Sequence, residues 1–162
     1  MTQAALLAET FTATRAITLG MMKSMDEVDQ RKNFEVDGIK LNSTLWIAGH
    51  LAWSQNFLQS KVLKGPNPEI TWLKEFAFGS RQEDISHWPD WNEVKEALDK
   101  VNKICMDHIR KLSDDEMDEG IYLESMDWKN TPRGFIIHSI RHEGMHAGHL
   151  SWLKKLHGLD TF

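Results

Sequence analysis

Four of the chain's eight histidines, His138, His142, His146 and His149, fall within the first twelve residues of the stretch "HSIRHEGMHAGHLSWLKKLHG". A helix turns about 100° per residue, so it carries these four imidazoles inside one arc of roughly 80°. Phe135, Leu153 and Leu156 share that arc, with Met145 and Trp152 at its borders. The rings are therefore expected to face a packed interior. His50, in "TLWIAGHLAWSQNFL", has the same character: Trp46, Trp53 and Phe57 flank its arc on one side, Ile47 and Ser54 on the other. A buried imidazole has two ring nitrogens to satisfy, and each one left unpaired costs about 1–3 kcal/mol. A divalent metal removes that cost, because each ring gives one nitrogen to the ion and its other N–H to a nearby acceptor.

Spacing of four residues stacks two imidazoles one turn apart, where both can reach a single ion. His142 with His146 satisfies this, and His138 with His142 does so equally well. His50, on a facing helix, supplies a third nitrogen. Three imidazoles at about 2.0–2.1 Å leave coordination positions open on zinc, nickel or iron(II), and an open position marks a catalytic site.

Other chemistry-bearing residues read as structural. Cys105 lies in an apolar seam as an inert thiol. Glu143 falls past the histidine arc and is expected at the rim or surface. His108 reads as a core or groove residue, His87 and His157 as solvent-facing. Trp46, Trp53 and Trp152 are expected to fill the core and to wall a dry pocket around the ion, where electrostatics strengthen. The acidic run "SDDEMDE" reads as a solvated turn.

The elements that must position these residues are helices. Leu7, Phe11, Thr14, Ile17, Met21 and Met25 predict a first helix over residues 2–25. A polar connector follows, turning near Asp37-Gly38. The second helix opens at "LNSTLW", capped by Asn42 or Ser43, and stops at "KGPNP". Residues 66–89 form an unusually long loop; its aromatic residues from Ile70 to Trp88 either lid the pocket or cover the core. Asp90 and Glu93 make a capping box for the third helix, whose seam runs Trp91, Val94, Leu98, Val101, Cys105, His108 and Leu112. "LSDDEMDEG" is a short capped turn ended by Gly120. Thr131 and Pro132 start the last helix, which runs to Gly158. No strand pattern competes. The expected fold is all-α, an up-down-type four-helix bundle with a long crossover loop, in a single domain over residues 1–162.

Composition excludes several function classes. The chain has 162 residues and a formal net charge of −5, with both signs interspersed. It lacks the basic face of a nucleic-acid or membrane-surface binder, and no apolar run is long enough to span a bilayer. "MTQAALLAET" has no secretory-signal pattern, and the single cysteine cannot form an internal disulfide, so a cytoplasmic location is expected. The expected partner is a small-molecule substrate.

The paired segments "STLWIAGHLAWSQNF" and, about ninety residues later, "IRHEGMHAGHLSWLKKLHGL" resemble the DinB/YfiT-like superfamily of metal-binding four-helix bundles. The loop with "FAFGS" and the "PDWNEV" helix start extend the resemblance over nearly the whole chain. It implies that His50, His142 and His146 are the metal ligands and gives His138 and His149 no such role. His149 stands where relatives often carry glutamine, "AGHL" rather than "GQL". It is therefore expected to hydrogen-bond near the ligands or to act as an acid/base group. Characterised members of the family imply a transferase using a low-molecular-weight thiol, such as bacillithiol or mycothiol, on small electrophiles. A related member isomerises maleylpyruvate. A metal-dependent hydrolase is the second expectation, and a non-catalytic metal or small-ligand binding protein the third. The resemblance also implies a homodimer, for which the face bearing Gly144 and Gly148 offers one contact.

Overall fold

The computed structural model describes residues 1–80 and 85–160. Helix α1 spans Gln3–Lys23, where Thr2 Oγ1 accepts from the Ala5 N–H at 3.2 Å and so satisfies a free N-terminal donor. Its buried stripe is Ala4, Ala8, Phe11, Arg15, Thr18 and Met22. That stripe is rotated from the expected one: Ile17 is exposed, and polar Arg15 and Thr18 go inside. The cause is a partner on another helix, described below.

Two short strands, β1 (Glu35–Val36) and β2 (Ile39–Lys40), pair antiparallel around Asp37-Gly38. Both turn residues have positive φ, 51° and 78°, as a two-residue hairpin turn requires. Helix α2 spans Thr44–Phe57, and of the two candidate caps Ser43 is the one used, accepting from Trp46 N–H at 3.2 Å. Residues from Thr44 to Ala52 are buried on every side. The helix then widens into a π-turn, Leu58–Val62.

The described part of the long connector packs down rather than standing off. A 3₁₀ turn, Thr71–Phe76, buries Leu73 and Phe76, and Trp88 follows them into the core. Arg31 ties the far end, donating to the carbonyls of Ile85, Trp88 and Pro89 at 2.7–3.1 Å. Residues 81–84 of that loop lie outside the described residues.

Helix α3 (Trp91–Ile109) opens on the expected capping box, with Asp90 Oδ1 accepting from Glu93 N–H and Glu93 Oε2 accepting from Asp90 N–H, both at 2.9 Å. Ser113 and Glu116 cap the one-turn helix α4 (Asp114–Asp118), anchored by buried Met117. A second hairpin was not expected: β3 (Ile121–Leu123) pairs with β4 (Trp128–Asn130) around a left-handed Asp127. Helix α5 (Pro132–Leu156) has Thr131 as its cap and Pro132 in its first turn, and Gly158 (φ 78°) follows its end.

The four long helices close a ring in which α1 touches α3 and α5, and α2 touches the same two. The fold is all-α, and the hairpins are appendages. Two apolar clusters fill the ring. One is built around Leu51, Phe76, Trp88, Leu98 and Leu150, the other around Phe11, Val62, Cys105, Ile109 and Phe135. Burial pushes the Cys105 thiol up to about 12, which makes it the inert core residue expected. No helix among the described residues is long and apolar enough to cross a membrane.

Candidate metal centre

Helix α2 contributes His50 and α5 contributes His142 and His146 to one point. His142 Nε2 lies 3.3 Å from His50 Nε2 and 3.2 Å from His146 Nε2, with one donor atom from each ring within 4.8 Å of the others. Donors bonded at about 2.0–2.1 Å to one tetrahedral ion stand roughly 3.3 Å apart, so the spacing is that of a ligand set. His50 and His146 are buried and His142 half-buried. Among the described residues this is the one group of three or more metal-ligating side chains that converges.

The hydrogen-bond partners decide which nitrogens are free. His50 Nδ1 lies 2.8 Å from the carbonyl oxygen of Phe76, which can only accept. The hydrogen is therefore on Nδ1, and Nε2 presents a lone pair to the cluster. Trp46 stacks on the same ring at 4.8 Å with planes 8° apart, and Trp53 lies at 5.5 Å on its next turn. Gly49 makes the carbonyl contact possible: a Cβ there would overlap the Phe76 ring. Phe76 is the residue that sequence reasoning misses, because its contribution is main-chain and leaves no side-chain signature.

All three rings are held neutral at ordinary pH. Desolvation lowers His50, the Phe76 bond only partly opposing it. Desolvation, then repulsion from neighbouring imidazoles, brings His142 to about 4 and His146 to about 3. Neutral imidazole is the form that binds metal, so the cluster needs to release few protons to do so.

His149 is exposed, with Nδ1 3.3 Å from His146 Nδ1. With His146 Nε2 turned to the cluster, its Nδ1–H donates to His149. His138 stays outside the converging group: its ring is 5.9 Å from that of His142, and Arg141 donates to its Nδ1 at 3.0 Å. The two four-residue pairs that spacing left equivalent are thus distinguished by position.

Three expectations are corrected. Glu143 is not at the rim; it is 2% exposed and makes a bidentate pair with Arg15, at 2.6 and 2.9 Å, while Arg15 also donates to the Leu98 carbonyl at 3.3 Å. Trp152 is 65% exposed rather than core filler, and Leu156 is exposed as well. His157 is half-buried against Phe34 rather than solvent-facing. One rotation explains the first two. The buried stripe of α5 runs Phe135, Ile136, Ser139, Glu143, His146, Ala147, Leu150 and Leu153, so its centre lies roughly 70° round from His142. The histidine arc is therefore a wall at the edge of the core, not its centre.

That wall faces a cavity of about 430 Å³. Trp46, Trp53, Phe57 and Phe135 form its sides, and the unexpected β3–β4 hairpin adds Leu123 and Trp128. Trp128 meets His138 edge-on at 4.7 Å. No Asp, Glu, Lys or Arg lines it among the described residues.

No curated protein and no solved structure gives a significant match to the chain. The sequence model of the DinB superfamily matches residues 10–150, a span that includes all three converging histidines, and the chain belongs to that superfamily.

Proposed function

We propose that His50, His142 and His146 hold one divalent metal ion, and that the protein is a metal-dependent transferase joining a low-molecular-weight thiol to a small electrophile. The spacing of the three Nε2 atoms, 3.2 and 3.3 Å about His142, carries this reading. Zinc, nickel and iron(II) all suit three neutral imidazoles. When bound, the metal supplies Lewis acidity at its open positions, which favours deprotonation of a thiol there near neutral pH.

The chain's own residues do the rest. The Phe76 carbonyl and the Trp46 stack fix the tautomer and plane of His50, and His149 takes the Nδ1–H of His146. The aromatic walls offer water few hydrogen-bond partners on their side of the cavity. A thiol fits this cavity better than a hydrolytic water does, because an ordinary thiol titrates near about 8.5 and needs little help to ionise. Water ionises less readily than a thiol even at a metal, and apart from the three proposed ligands His138 is the one titratable side chain of the described lining that could act as its base.

Element analysis of purified protein should find about one ion per chain, lost in His50→Ala, His142→Ala and His146→Ala variants that keep their helical circular dichroism. The loaded protein should conjugate thiols to electrophiles and lose that activity on chelation. Stoichiometric metal retained by His142→Ala sinks the ligand assignment. Metal-dependent ester or amide hydrolysis without thiol conjugation sinks the transferase.

A further inference from the structure

The histidines form one wall of the cavity, and the remaining walls bear on what fills it. They are mostly aromatic, from Trp46, Trp53, Phe57, Trp128 and Phe135, with Leu123 beside them and Asn42, Ser54 and Ser139 as uncharged polar groups. The apolar surface continues at Phe78, 83% exposed, and at half-exposed Met126 and Met145, which also line the cavity. An apolar cavity of about 150 Å³ already accepts benzene. This one, at about 430 Å³, exceeds the need of a single ring and falls in the range of small-ligand sites.

Charge decides the class of occupant. A carboxylate moved from water into this cavity meets no lysine or arginine among the described lining residues. Asn42, Ser54 and Ser139 offer it neutral hydrogen bonds at most, so no opposite charge offsets its desolvation, a penalty of several kcal/mol for a fully buried ion. A flat uncharged body meets the opposite balance: it loses little hydration and gains edge and face contacts with five aromatic walls.

We propose that the cavity binds the uncharged, ring-bearing part of the substrate, up to two fused rings in size, and rejects an anionic body of the same shape. This rests on the proposed function in taking the cavity as the substrate site. Any charged group of a thiol co-substrate other than the sulfur then stays outside the aromatic walls.

The matched probes are 2-naphthamide and 2-naphthoate, nearly isosteric and different in charge. Binding is measured by equilibrium dialysis on the full chain after chelation, so that no metal attracts the carboxylate. The expected result is one 2-naphthamide per chain, bound at least about tenfold more tightly than 2-naphthoate, as an unpaired buried charge demands. Met126→Lys, at a half-exposed position that should not disturb folding, brings a cation to the cavity and should narrow that ratio about threefold or more. Equal binding of the two probes, absence of 2-naphthamide binding, or a ratio unmoved by Met126→Lys overturns the proposal. Element analysis of the same preparation before chelation separates the two readings. Probe discrimination in a protein that never held metal sinks the metal centre alone. Stoichiometric metal without 2-naphthamide binding sinks the substrate class alone.

Discussion

Helix α5 carries two buried polar clusters on adjacent residues, and they differ in one respect. Glu143 stands between His142 and His146, and its carboxylate is matched by Arg15 with both oxygens engaged. The pair is complete within the protein. The three imidazoles beside it face one another with nitrogens 3.2–3.3 Å apart, and the His50 Nε2 in that group carries a lone pair rather than a hydrogen. A pair of opposite charges closes on itself, whereas three ring nitrogens with at most the His142 hydrogen to share among them are all engaged at once only by something brought in. Burial alone does not separate structural from functional polar groups; the chemistry of the partner does.

The largest effect should come from breaking the closed cluster. Glu143→Leu leaves the Arg15 guanidinium buried and unpaired, which costs about 3–5 kcal/mol of stability. The double variant Arg15→Met/Glu143→Leu removes both charges and should regain most of that, as buried pairs replaced by apolar residues commonly do. Urea denaturation of the two variants measures the difference. If the single variant is as stable as the parent, the pair is not what holds α1 against α5.

The open cluster should respond the other way. In metal-free protein, His146→Leu replaces a desolvated imidazole with an apolar group of similar size, so stability should hold or rise. Metal affinity should fall by more than the 10–100-fold usually seen on losing an outer hydrogen-bond partner of a ligand. Titration with a competing chelator, alongside denaturation of the metal-free form, reads both. A His146→Leu variant that loses metal-free stability to the same degree as Glu143→Leu would erase the contrast between the clusters.

A third effect is smaller and depends on pH. In the unfolded chain these histidines take up protons near about 6.5; in the folded metal-free protein His142 does so near 4 and His146 near 3, with His50 also lowered. The unfolded state thus binds more protons between those limits. The stability of the metal-free protein should be full above about pH 6.5 and decline as pH falls toward 4. Denaturation midpoints at pH 7.5, 6 and 5 show the slope, and His142→Ala/His146→Ala should flatten it.

What could be read from the residues alone was whatever is local. Asp90 with Glu93, and Thr131 with Pro132, announce helix starts because their partners lie within four residues. The inward tendency of His50 is legible from Trp46 and Trp53 on its own helix. Arg15 is different: its partner lies 128 residues away, so nothing near it in the chain signals that a cation belongs inside. That hidden pairing rotates the α1 stripe away from Ile17, and on α5 it draws Glu143 inward and moves the histidines to the edge of the core. Strands β3 and β4 are three residues each, too short for alternation to register, yet they bring Leu123 and Trp128 to the cavity.

The smallest effect concerns His149, which borders both clusters' helix but belongs to neither. Its Nδ1 sits 3.3 Å from His146 Nδ1, and it is exposed, so any role it has passes through the hydrogen it accepts. Removing that acceptor in His149→Ala should weaken metal binding about tenfold, the low end for such partners, because water can take its place. His149→Gln carries a carbonyl oxygen to the same neighbourhood and should restore affinity to within about threefold, with no change in the stability of the metal-free form. A Gln variant as weak as the Ala variant would show that imidazole itself, rather than an acceptor for His146, is required there. His149 would then belong with the open cluster after all.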